Sequence, residues 1–321
     1  PEISSIGLNE RELTEKKIVV TGGSGFLGSR IVKILQEKGI KDVIVPRSDT
    51  CDLRKVENCS RITKDANIVF HAAGNVGGIG YNKEHPASVF FDNIMMDTLM
   101  MEESRKNRVE KFIAIGTVCS YPKFAPVPFS EEHIWDGYPE ETNASYGLSK
   151  KMMLVQSDAY RQEYNFKSIV LVQTNLYGPE DNFDPSTSHV IPALIKKIYD
   201  AKVSRQSEIE LWGDGSPSRD FLYVDDAARA AILAAEKYEK SDPINIGSGK
   251  EITIKELAEL IKKLMNAENI TIKWNIQKPG GQPRRCLNIE KAKKEIGFTP
   301  IINIEKGLRR TIEWFESTYR T

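Results

Sequence analysis

Lys17–Gly28 reads KIVVTGGSGFLG, and this stretch decides the fold. Its first five residues form an apolar run that is typical of a buried strand. Glycines follow at Gly22, Gly25 and Gly28, and the amphipathic pattern of Gly25–Lys38 predicts a helix directly after them. Glycine lets the backbone turn tightly and approach a phosphate, while the helix N-terminus offers free N–H groups. The stretch therefore favours a dinucleotide-binding turn over a glycine-rich turn without a ligand.

Apolar strand-like runs alternate with helical patterns through the rest of the first half. The predicted strands are Asp42–Val45, Asn67–Phe70, Lys111–Ile115 and Ser168–Gln173, and the predicted helices are Phe91–Lys106 and Ser145–Tyr164. This alternation indicates an α/β fold of the Rossmann type, a doubly wound parallel sheet covered on both faces. Ligands of such sheets bind at the carboxyl ends of the strands.

The second half has a mixed pattern that begins with a polar loop at Pro179–Ser188. Its predicted helices are Val190–Lys202, Val224–Glu239, Thr253–Asn266 and Ile304–Tyr319, and its predicted short strands are Ile209–Trp212, Pro243–Ile246 and Thr271–Trp274. We therefore predict a dinucleotide-binding domain over residues 1–175 and a smaller mixed α/β substrate-binding domain over residues 176–321. Residues 222–246 are expected to return to the first domain.

Charge and composition narrow the classes of function. The 321 residues include 45 Lys and Arg and 45 Asp and Glu, so the formal net charge is zero. A nucleic-acid-binding protein usually carries a basic excess, so that class is disfavoured. The sequence also lacks an apolar run of roughly 18 residues, which a membrane span requires. Neither a nucleic acid nor a membrane is expected as a partner.

The four cysteines show no metal-binding spacing. Cys51, Cys59, Cys119 and Cys286 form no CxxC pair, so a metal site is not expected. The polar start of the sequence lacks the apolar core of a signal peptide. These features predict a reducing compartment, the cytoplasm.

The residue type after the second predicted strand bears on the choice of dinucleotide. A carboxylate there would hold the ribose 2′-OH of NAD, whereas an arginine accommodates the 2′-phosphate of NADP. Arg47 follows the strand and can bind a phosphate through two hydrogen bonds, although a solvated surface arginine is the plainer alternative. NADP is favoured and NAD stays open. Further cofactor contacts are expected from Asp52, Leu53, Ala72, Ala73 and Gly74.

A tyrosine and a lysine are the main catalytic candidates. Tyr146 and Lys150 lie about one turn apart on the same face of a predicted helix. A tyrosine hydroxyl has a pKa of about 10 in water, and a neighbouring ammonium group stabilises the phenolate and lowers that pKa. Such a pair can exchange a proton with a carbonyl while a nicotinamide transfers hydride. Thr117 follows the fourth predicted strand, and the three residues resemble the Ser/Thr–Tyr–Lys set of short-chain dehydrogenases.

Two further side chains are candidates for proton transfer. Cys119 lies two residues beyond Thr117, and a thiolate can act as a base when a neighbour lowers its pKa. His189 follows the polar loop, and imidazole transfers protons near neutral pH. Spacing alone slightly favours the plainer alternatives, which are a buried thiol for Cys119 and a helix-capping or cofactor-contacting group for His189.

Several segments resemble the GDP-L-fucose synthase family, within the extended short-chain dehydrogenase/reductase superfamily, and the resemblance spans nearly the whole sequence from Lys17 on. These segments are Val76–Gly80 (VGGIG), Gly116–Pro122 (GTVCSYP), Asn175–Pro179 (NLYGP), Asp181–Phe183 (DNF), Ser188–Leu194 (SHVIPAL), Trp212–Gly213 and Arg219–Asp226 (RDFLYVDD). The glycine turn and Tyr-x-x-x-Lys are common to the superfamily, whereas VGGI, CxYP and DNF…SHVIPAL are specific to this branch. Members epimerise and reduce GDP-4-keto-6-deoxymannose with NADPH.

The resemblance implies roles at the matching positions. Thr117, Tyr146 and Lys150 would carry out the reduction, and Cys119 and His189 would be the base and the acid of the epimerisation. The resemblance also implies cofactor contacts, which add to those named above and include every catalytic candidate except Cys119. They are Gly22, Gly25, Phe26, Leu27, Gly28, Asn93, Gly116, Thr117, Val118, Tyr146, Lys150, Gln173, Asn175, Leu176 and His189. The residues implied at the GDP-sugar are Lys197, Trp212, Arg219 and Arg285. A homodimer through the helices at Phe91–Lys106 and Ser145–Tyr164 is also implied.

Departures from the family pattern leave the substrate and the cofactor open. Thr117 stands where Ser is usual, and the hydroxyl is kept. Ser24 and Phe26 occupy a turn in which other members carry an arginine for the 2′-phosphate. Pro279–Gly281 departs from the usual Pro-Asp-Gly, so a GDP-4-keto-heptose derivative is an alternative substrate.

Two other classes of function remain as alternatives. A nucleotide-sugar 4-epimerase with permanently bound NAD would use the glycine turn, Tyr146 and Lys150 but would not need Cys119 and His189. A cofactor-sensing regulator on the same fold ranks last, because such proteins often lose the tyrosine or the lysine and both are present here.

Overall fold

Five strands from the first half of the chain and one from the second half form a six-stranded parallel sheet. The structure is a computed structural model that describes residues 14–278 and 282–319. The strands are β1 (Ile18–Thr21), β2 (Val43–Ile44), β3 (Ile68–His71), β4 (Lys111–Thr117), β5 (Ser168–Gln173) and β9 (Ile244–Ile246). Their order in the sheet is β2-β1-β3-β4-β5-β9, and all neighbouring strands pair in parallel.

Helices cover both faces of this sheet. One face carries α1 (Phe26–Glu37) and α7 (Val224–Lys237), and the other carries α2 (Val56–Thr63), α4 (Pro86–Lys106) and α5 (Ala144–Tyr164), with the short α3 (Ile79–Glu84) before α4. Side chains of a strand alternate between the two faces. In β1, Ile18 and Val20 therefore join the core beneath α1 and α7, whereas Val19 joins the opposite core. The expectation of a doubly wound α/β fold is confirmed.

The second half builds a separate, mixed layer of structure. A sheet centred on β8 (Ser218–Tyr223) also contains β6 (Asn175–Tyr177), β10 (Glu251–Thr253) and β12 (Arg284–Arg285), while β7 (Glu208–Trp212) pairs in parallel with β11 (Thr271–Asn275). Further helices are α6 (Val190–Val203), α8 (Ile254–Leu264), α9 (Glu290–Ile296) and α10 (Ile304–Thr318). Within the described residues, no helix combines the length and apolarity that crossing a bilayer requires.

Several elements differ from the sequence expectation. The sequence pattern does not predict β8, because Arg219 and Asp220 interrupt its apolar run. Asp220 is nevertheless fully buried, since its carboxylate accepts the N–H groups of Ser248 at 2.9 Å and Leu287 at 3.3 Å. Helix α4 begins at Pro86 rather than at Phe91, because proline is favoured in the first turn of a helix. The domain boundary near residue 175 stays a prediction.

Candidate active site

The glycine turn after β1 has no room for side chains. Gly22 has a φ of +67°, and a Cβ there would lie 2.8 Å from the backbone nitrogen of Ala73. A Cβ on Gly28 would lie 2.1 Å from the carbonyl oxygen of Gly22. Gly25 is the N-cap of α1, and no side chain caps the helix there. The N–H groups of the first turn, including those of Phe26 and Leu27, therefore remain available to an anion.

The loop after β3 continues the same edge of the sheet. Asn93 on α4 is fully buried, and its Oδ1 accepts the N–H of Asn75 at 2.9 Å. A Cβ on Gly74 would lie 3.2 Å from this Oδ1 and 3.5 Å from the Nζ of Lys150. The backbone at Ala72, Ala73 and Gly74 thus separates the glycine turn from Lys150.

Gln173 is the last residue of β5 and lies beside the last residue of β4. Thr117 and Gln173 are register partners in these neighbouring strands. The side-chain amide of Gln173 is buried, and within the described part of the chain neither its oxygen nor its nitrogen has a hydrogen-bond partner. Asn175, two residues on, donates its amide to the Asp220 carbonyl at 3.0 Å and precedes Leu176 in β6. A buried amide without a partner at the carboxyl end of a strand fits a polar group of a bound dinucleotide.

The segment after β2 contains one charge with a distant ionic partner and one charge that is closely paired. Arg47 is exposed, and its nearest ionic neighbour is Asp49 at 3.9 Å. The carboxylate of Asp52 accepts hydrogen bonds from Arg54 at 2.9 and 3.0 Å, and these bonds lower the pKa of Asp52 to about 2. Leu53 is buried beside it. Arg47 is therefore available for a phosphate, whereas the Asp52 carboxylate is already paired.

Close packing of α5 on the turn after β4 brings the catalytic candidates together. The Thr117 side chain accepts the N–H of Cys119 at 3.2 Å. Ser120 donates its hydroxyl to the Gly147 carbonyl at 3.0 Å, and a Cβ on Gly147 would lie 2.1 Å from the Cys119 carbonyl oxygen. Glycine at 147 therefore lets the helix approach closely enough for the neighbouring Tyr146 to interact with the Thr117 side chain.

Tyr146 does not have the lowered pKa expected from its neighbour. Burial raises the pKa of this phenol, Cys119 and Asp97 raise it further, and Thr117 lowers it. The ammonium group of Lys150 lies 2.9 Å from the Asp97 carboxylate, which offsets its positive charge. The expectation that Lys150 makes Tyr146 more acidic is therefore wrong for this arrangement, and the phenol is protonated at neutral pH.

Sequence reasoning missed Asp97. This residue lies on α4 one turn after Asn93, and both side chains are buried. The signal in the sequence is two polar residues four positions apart in a helix that is otherwise rich in methionine. Such a pair inside an apolar helix indicates a buried polar contact with another element.

Two arginines lie beside Cys119. The Nη1 atom of Arg285 is 3.6 Å from the Cys119 Sγ, and the other nitrogens of this buried guanidinium bond to the Gln282 side chain at 3.2 and 3.0 Å. Arg219 donates to the Gln282 carbonyl at 2.6 Å, and burial together with Arg285 lowers the pKa of Arg219 to about 10. Among the described residues, Glu251 forms its ion pair with Arg284 and not with Arg219 or Arg285. The result is a positive, partly buried surface next to a thiol, which suits an anionic ligand.

The remaining predicted residues make no hydrogen bond to the cluster around Cys119 within the described part of the chain. His189 is the N-cap residue of α6, but its side chain makes no capping hydrogen bond, which argues against the capping alternative. Lys197 donates to the Glu210 carbonyl at 2.6 Å, and Trp212 is 61% exposed with the Nζ of Lys278 5.6 Å from its ring centre. Pro279–Gly281 lies outside the described residues. Within those residues, no hydrogen bond or ion pair joins Lys197 or Trp212 to the arginines beside Cys119.

Comparison with known proteins gives consistent matches. The model of the NAD dependent epimerase/dehydratase family matches residues 18–247. The chain is similar to GDP-L-fucose synthase 1 of Arabidopsis thaliana, with 37% identity over 97% of both chains. It is also similar to a solved GDP-L-fucose synthetase from Naegleria fowleri bound to NADP (26% identity, TM-score 0.85, 96% of both chains covered). A second similar structure is MlghC, a GDP-mannoheptose C4 reductase from Campylobacter jejuni with NADP bound (25% identity, TM-score 0.85, 94% of this chain and 99% of that chain covered).

Proposed function

The chain belongs to the NAD dependent epimerase/dehydratase family, on the branch of the GDP-L-fucose synthases, and from this membership we propose that it makes GDP-L-fucose or a close analogue. The substrate is a GDP-4-keto-6-deoxy sugar, which is epimerised at C3 and C5 and then reduced at C4. The observation that supports this proposal best is the cluster of Thr117, Cys119 and Tyr146, with Arg285 3.6 Å from the Cys119 sulfur. A 4-epimerase needs no thiol beside a guanidinium.

The residues at the carboxyl ends of the strands fit NADP as the cofactor. The free N–H groups at Phe26 and Leu27 would hold the diphosphate, and Arg47 would hold the 2′-phosphate. Gln173 would satisfy its buried amide on a polar group of the cofactor. Bound NADPH supplies the hydride for the reduction at C4.

Proton transfer in the epimerisation is assigned to Cys119 and His189. The 4-keto group acidifies the hydrogens at C3 and C5, so side chains of moderate basicity can remove them. Cys119 would remove the proton, and His189 would return one to the opposite face of the sugar. Arg285 adds positive charge where negative charge develops on the sugar, and Arg219 would face the diphosphate.

Tyr146 would donate the proton in the reduction. Because burial raises its pKa, the phenol is protonated at neutral pH and can protonate the C4 oxygen as hydride arrives. Thr117 would orient the same oxygen through its hydroxyl, and Lys150 would hold the nicotinamide ribose.

The deciding experiment combines NADPH oxidation with isotope exchange. Purified protein is mixed with GDP-4-keto-6-deoxymannose and NADPH in D₂O, and NMR reads the stereochemistry and the deuterium content of the product. We expect NADPH oxidation with deuterium at C3 and C5, and Cys119→Ser should suppress the deuterium uptake while NADPH still binds. Cys59→Ala is the matched control, because burial raises the pKa of this thiol to about 12 and its hydrogen bond goes to the carbonyl of Leu53 rather than to a residue beside Cys119.

Two outcomes would point to other functions. Reduction of a GDP-4-keto-heptose without deuterium uptake would assign the chain to the heptose reductases. The similarity to MlghC is the observation that makes heptose reduction the second candidate function. Tightly bound NAD with no net oxidation of NADPH would assign it to the 4-epimerases.

We further propose that the chain is a homodimer through α4 and α5. Phe91 on α4 and Met152 and Val155 on α5 are large apolar side chains that remain exposed. Exposed apolar faces on two packed helices favour a symmetric contact with a second copy. Light scattering should give a dimer for the wild type and a monomer for Val155→Glu, whereas Val203→Glu, at an exposed position on α6, should stay a dimer. A dimeric Val155→Glu variant would exclude this interface.

All four cysteines are free, and three of them are buried. Free thiols persist in a reducing environment. We therefore infer that the protein acts in the cytoplasm, and recovery of the protein in a secreted or membrane fraction after cell fractionation would contradict this.

A further inference from the structure

A line of buried polar side chains runs behind the proposed catalytic residues. Thr21 at the end of β1 bonds through Oγ1 to the Nδ1 of His71 at 2.7 Å. The Nε2 of His71 lies 2.8 Å from Oδ1 of Asp97, and Lys150 donates to the same Oδ1 at 2.9 Å. All four side chains are buried, so the line connects the strand before the glycine turn to α5 without reaching solvent.

The protonation states within this line follow from the partners. Burial lowers the pKa of His71, so its imidazole is neutral at pH 7 and carries one proton. A carboxylate can only accept, so that proton sits on Nε2 and is donated to Asp97, while Nδ1 accepts the hydroxyl of Thr21. Asp97 and Lys150 form the ion pair of the line.

Stability alone does not account for this ion pair. Taking a carboxylate and an ammonium group out of water costs about as much free energy as their attraction returns. Acidifying Tyr146 does not account for it either, because Asp97 raises the pKa of that phenol. What the pair does fix is the position of the Lys150 Nζ, which lies 3.5 Å from the Ala73 carbonyl at the edge of the cofactor site.

We propose that Asp97, held in place by His71, is a positioning residue for Lys150 and sets where its ammonium group meets the cofactor ribose. The proposal rests on the function proposed above, since it takes Lys150 to contact the ribose. His71 and Thr21 act one step further away: they hold Asp97 Oδ1 at the point where Lys150 reaches it. Asp97 itself touches neither cofactor nor substrate.

The test is a double-substitution cycle on NADPH affinity. Asp97→Asn keeps the size of the side chain and removes its charge, and Lys150→Met removes the ammonium group. We expect each single change to weaken NADPH binding, measured by cofactor fluorescence, by about tenfold, the cost of one charge-assisted hydrogen bond. The double variant should bind no more weakly than Lys150→Met alone, because Asp97 acts through Lys150.

Steady-state kinetics, which give kcat and KM, provide a second measurement. Asp97→Asn should lower kcat by about 100-fold, the effect of a small misplacement of a catalytic group, with little change in the KM of the GDP-sugar. Asp226→Asn is the matched control, because Asp226 is equally buried but accepts the N–H groups of Ile301 and Ile302 away from the site. It should lower the melting temperature without changing kcat or NADPH affinity.

The outcomes separate this inference from the proposed function. Wild-type NADPH affinity or kcat in Asp97→Asn would overturn the inference, as would a further loss of affinity in the Lys150→Met background. If the wild type fails to turn over any GDP-4-keto sugar, the proposed function fails while the affinity cycle still decides the role of Asp97. If Asp97→Asn does not fold, His71→Gln replaces it in the cycle, and a loss of affinity that persists beside Lys150→Met overturns the inference.

Discussion

At the scale of single residues, a substitution of Tyr146 can distinguish a role in substrate binding from a role as proton donor. Tyr146→Phe keeps the ring but removes the proton donor. We expect NADPH oxidation to fall by about 10²–10⁴-fold, the usual contribution of a positioned acid, while deuterium uptake at C3 and C5 persists. Tyr164→Phe, at the exposed end of α5, should leave both reactions unchanged. An equal loss of reduction and deuterium uptake in Tyr146→Phe would assign this residue to substrate binding instead.

Asp181 gives a pH dependence of stability whose sign can be worked out. Burial raises the pKa of this carboxyl from 3.8 to about 7, and its Oδ2 has no hydrogen-bond partner among the described residues. Since the folded chain holds the proton more tightly than the unfolded chain, stability falls as the pH rises from about 4 to 7. We expect Asp181→Asn to stabilise the protein at pH 8 by about 1–3 kcal/mol, the cost of an unsatisfied buried group, and to have little effect at pH 4.

The control for this prediction has the opposite sign. Asp184 is exposed and accepts the N–H of Ser186 at 2.7 Å, and bonds from Ser186 lower its pKa. Its stabilising effect is present at neutral pH and is lost as the pH falls through the lowered pKa, so Asp184→Asn should lower the melting temperature at pH 8 more than at pH 3. Parallel pH profiles for the two variants would show that burial of Asp181 is not the cause.

At the scale of elements, the contact between α5 and the turn after β4 is the one that aligns the proposed catalytic residues. Gly147→Ala would place a Cβ 2.1 Å from the Cys119 carbonyl oxygen, and the backbone on both sides would have to move. We expect a loss of about 1–3 kcal/mol in stability, as for an overpacked core, and a larger relative loss of kcat than of NADPH affinity. Denaturant unfolding and steady-state kinetics measure the two effects.

A matched glycine shows whether crowding is the cause. At Gly137 an added Cβ would meet the Pro122 side chain at an ordinary 3.4 Å, so Gly137→Ala should be tolerated. If Gly147→Ala is as stable and as active as Gly137→Ala, the helix has more freedom to approach the turn than these distances imply.

Individual strands and turns show which parts of the fold could be predicted from the sequence. Within Ser168–Gln173, the residues Ile169–Val172 form an uninterrupted apolar run, as a strand buried on both faces does, and both ends of β5 lie at the predicted positions. The glycine turn was predictable because close backbone approach requires glycine. β8 was not, since the burial of Arg219 and Asp220 depends on partners distant in sequence. Asp97 was missed for the same reason, because its partners His71 and Lys150 lie on other elements.

At the scale of the whole molecule, the two halves of the chain carry different groups of candidate ligand residues. Most of the cofactor candidates lie at the edge of the large sheet, whereas the substrate candidates Arg219 and Arg285 lie in β8 and β12. Polar contacts join the two parts: Thr174, directly after β5, donates its hydroxyl to the Asp220 carbonyl of β8 at 2.9 Å, and the Phe129 N–H donates to the Cys286 carbonyl at 2.7 Å. Ligands bound by the folded chain alone therefore raise the free energy of unfolding of the entire assembly of elements.

This linkage makes thermal unfolding a measure of cofactor choice. At about 100 times its Kd, NADPH stabilises the folded chain by about 2.7 kcal/mol. Arg47→Ala removes the guanidinium proposed to hold the 2′-phosphate, so NADPH affinity should fall about tenfold while NADH affinity stays the same. The melting-temperature difference between saturating NADPH and NADH should shrink accordingly. Arg61→Ala, an exposed arginine on α2 that bonds to Asn58, should keep that difference, and an unchanged difference in Arg47→Ala would mean that another group holds the 2′-phosphate.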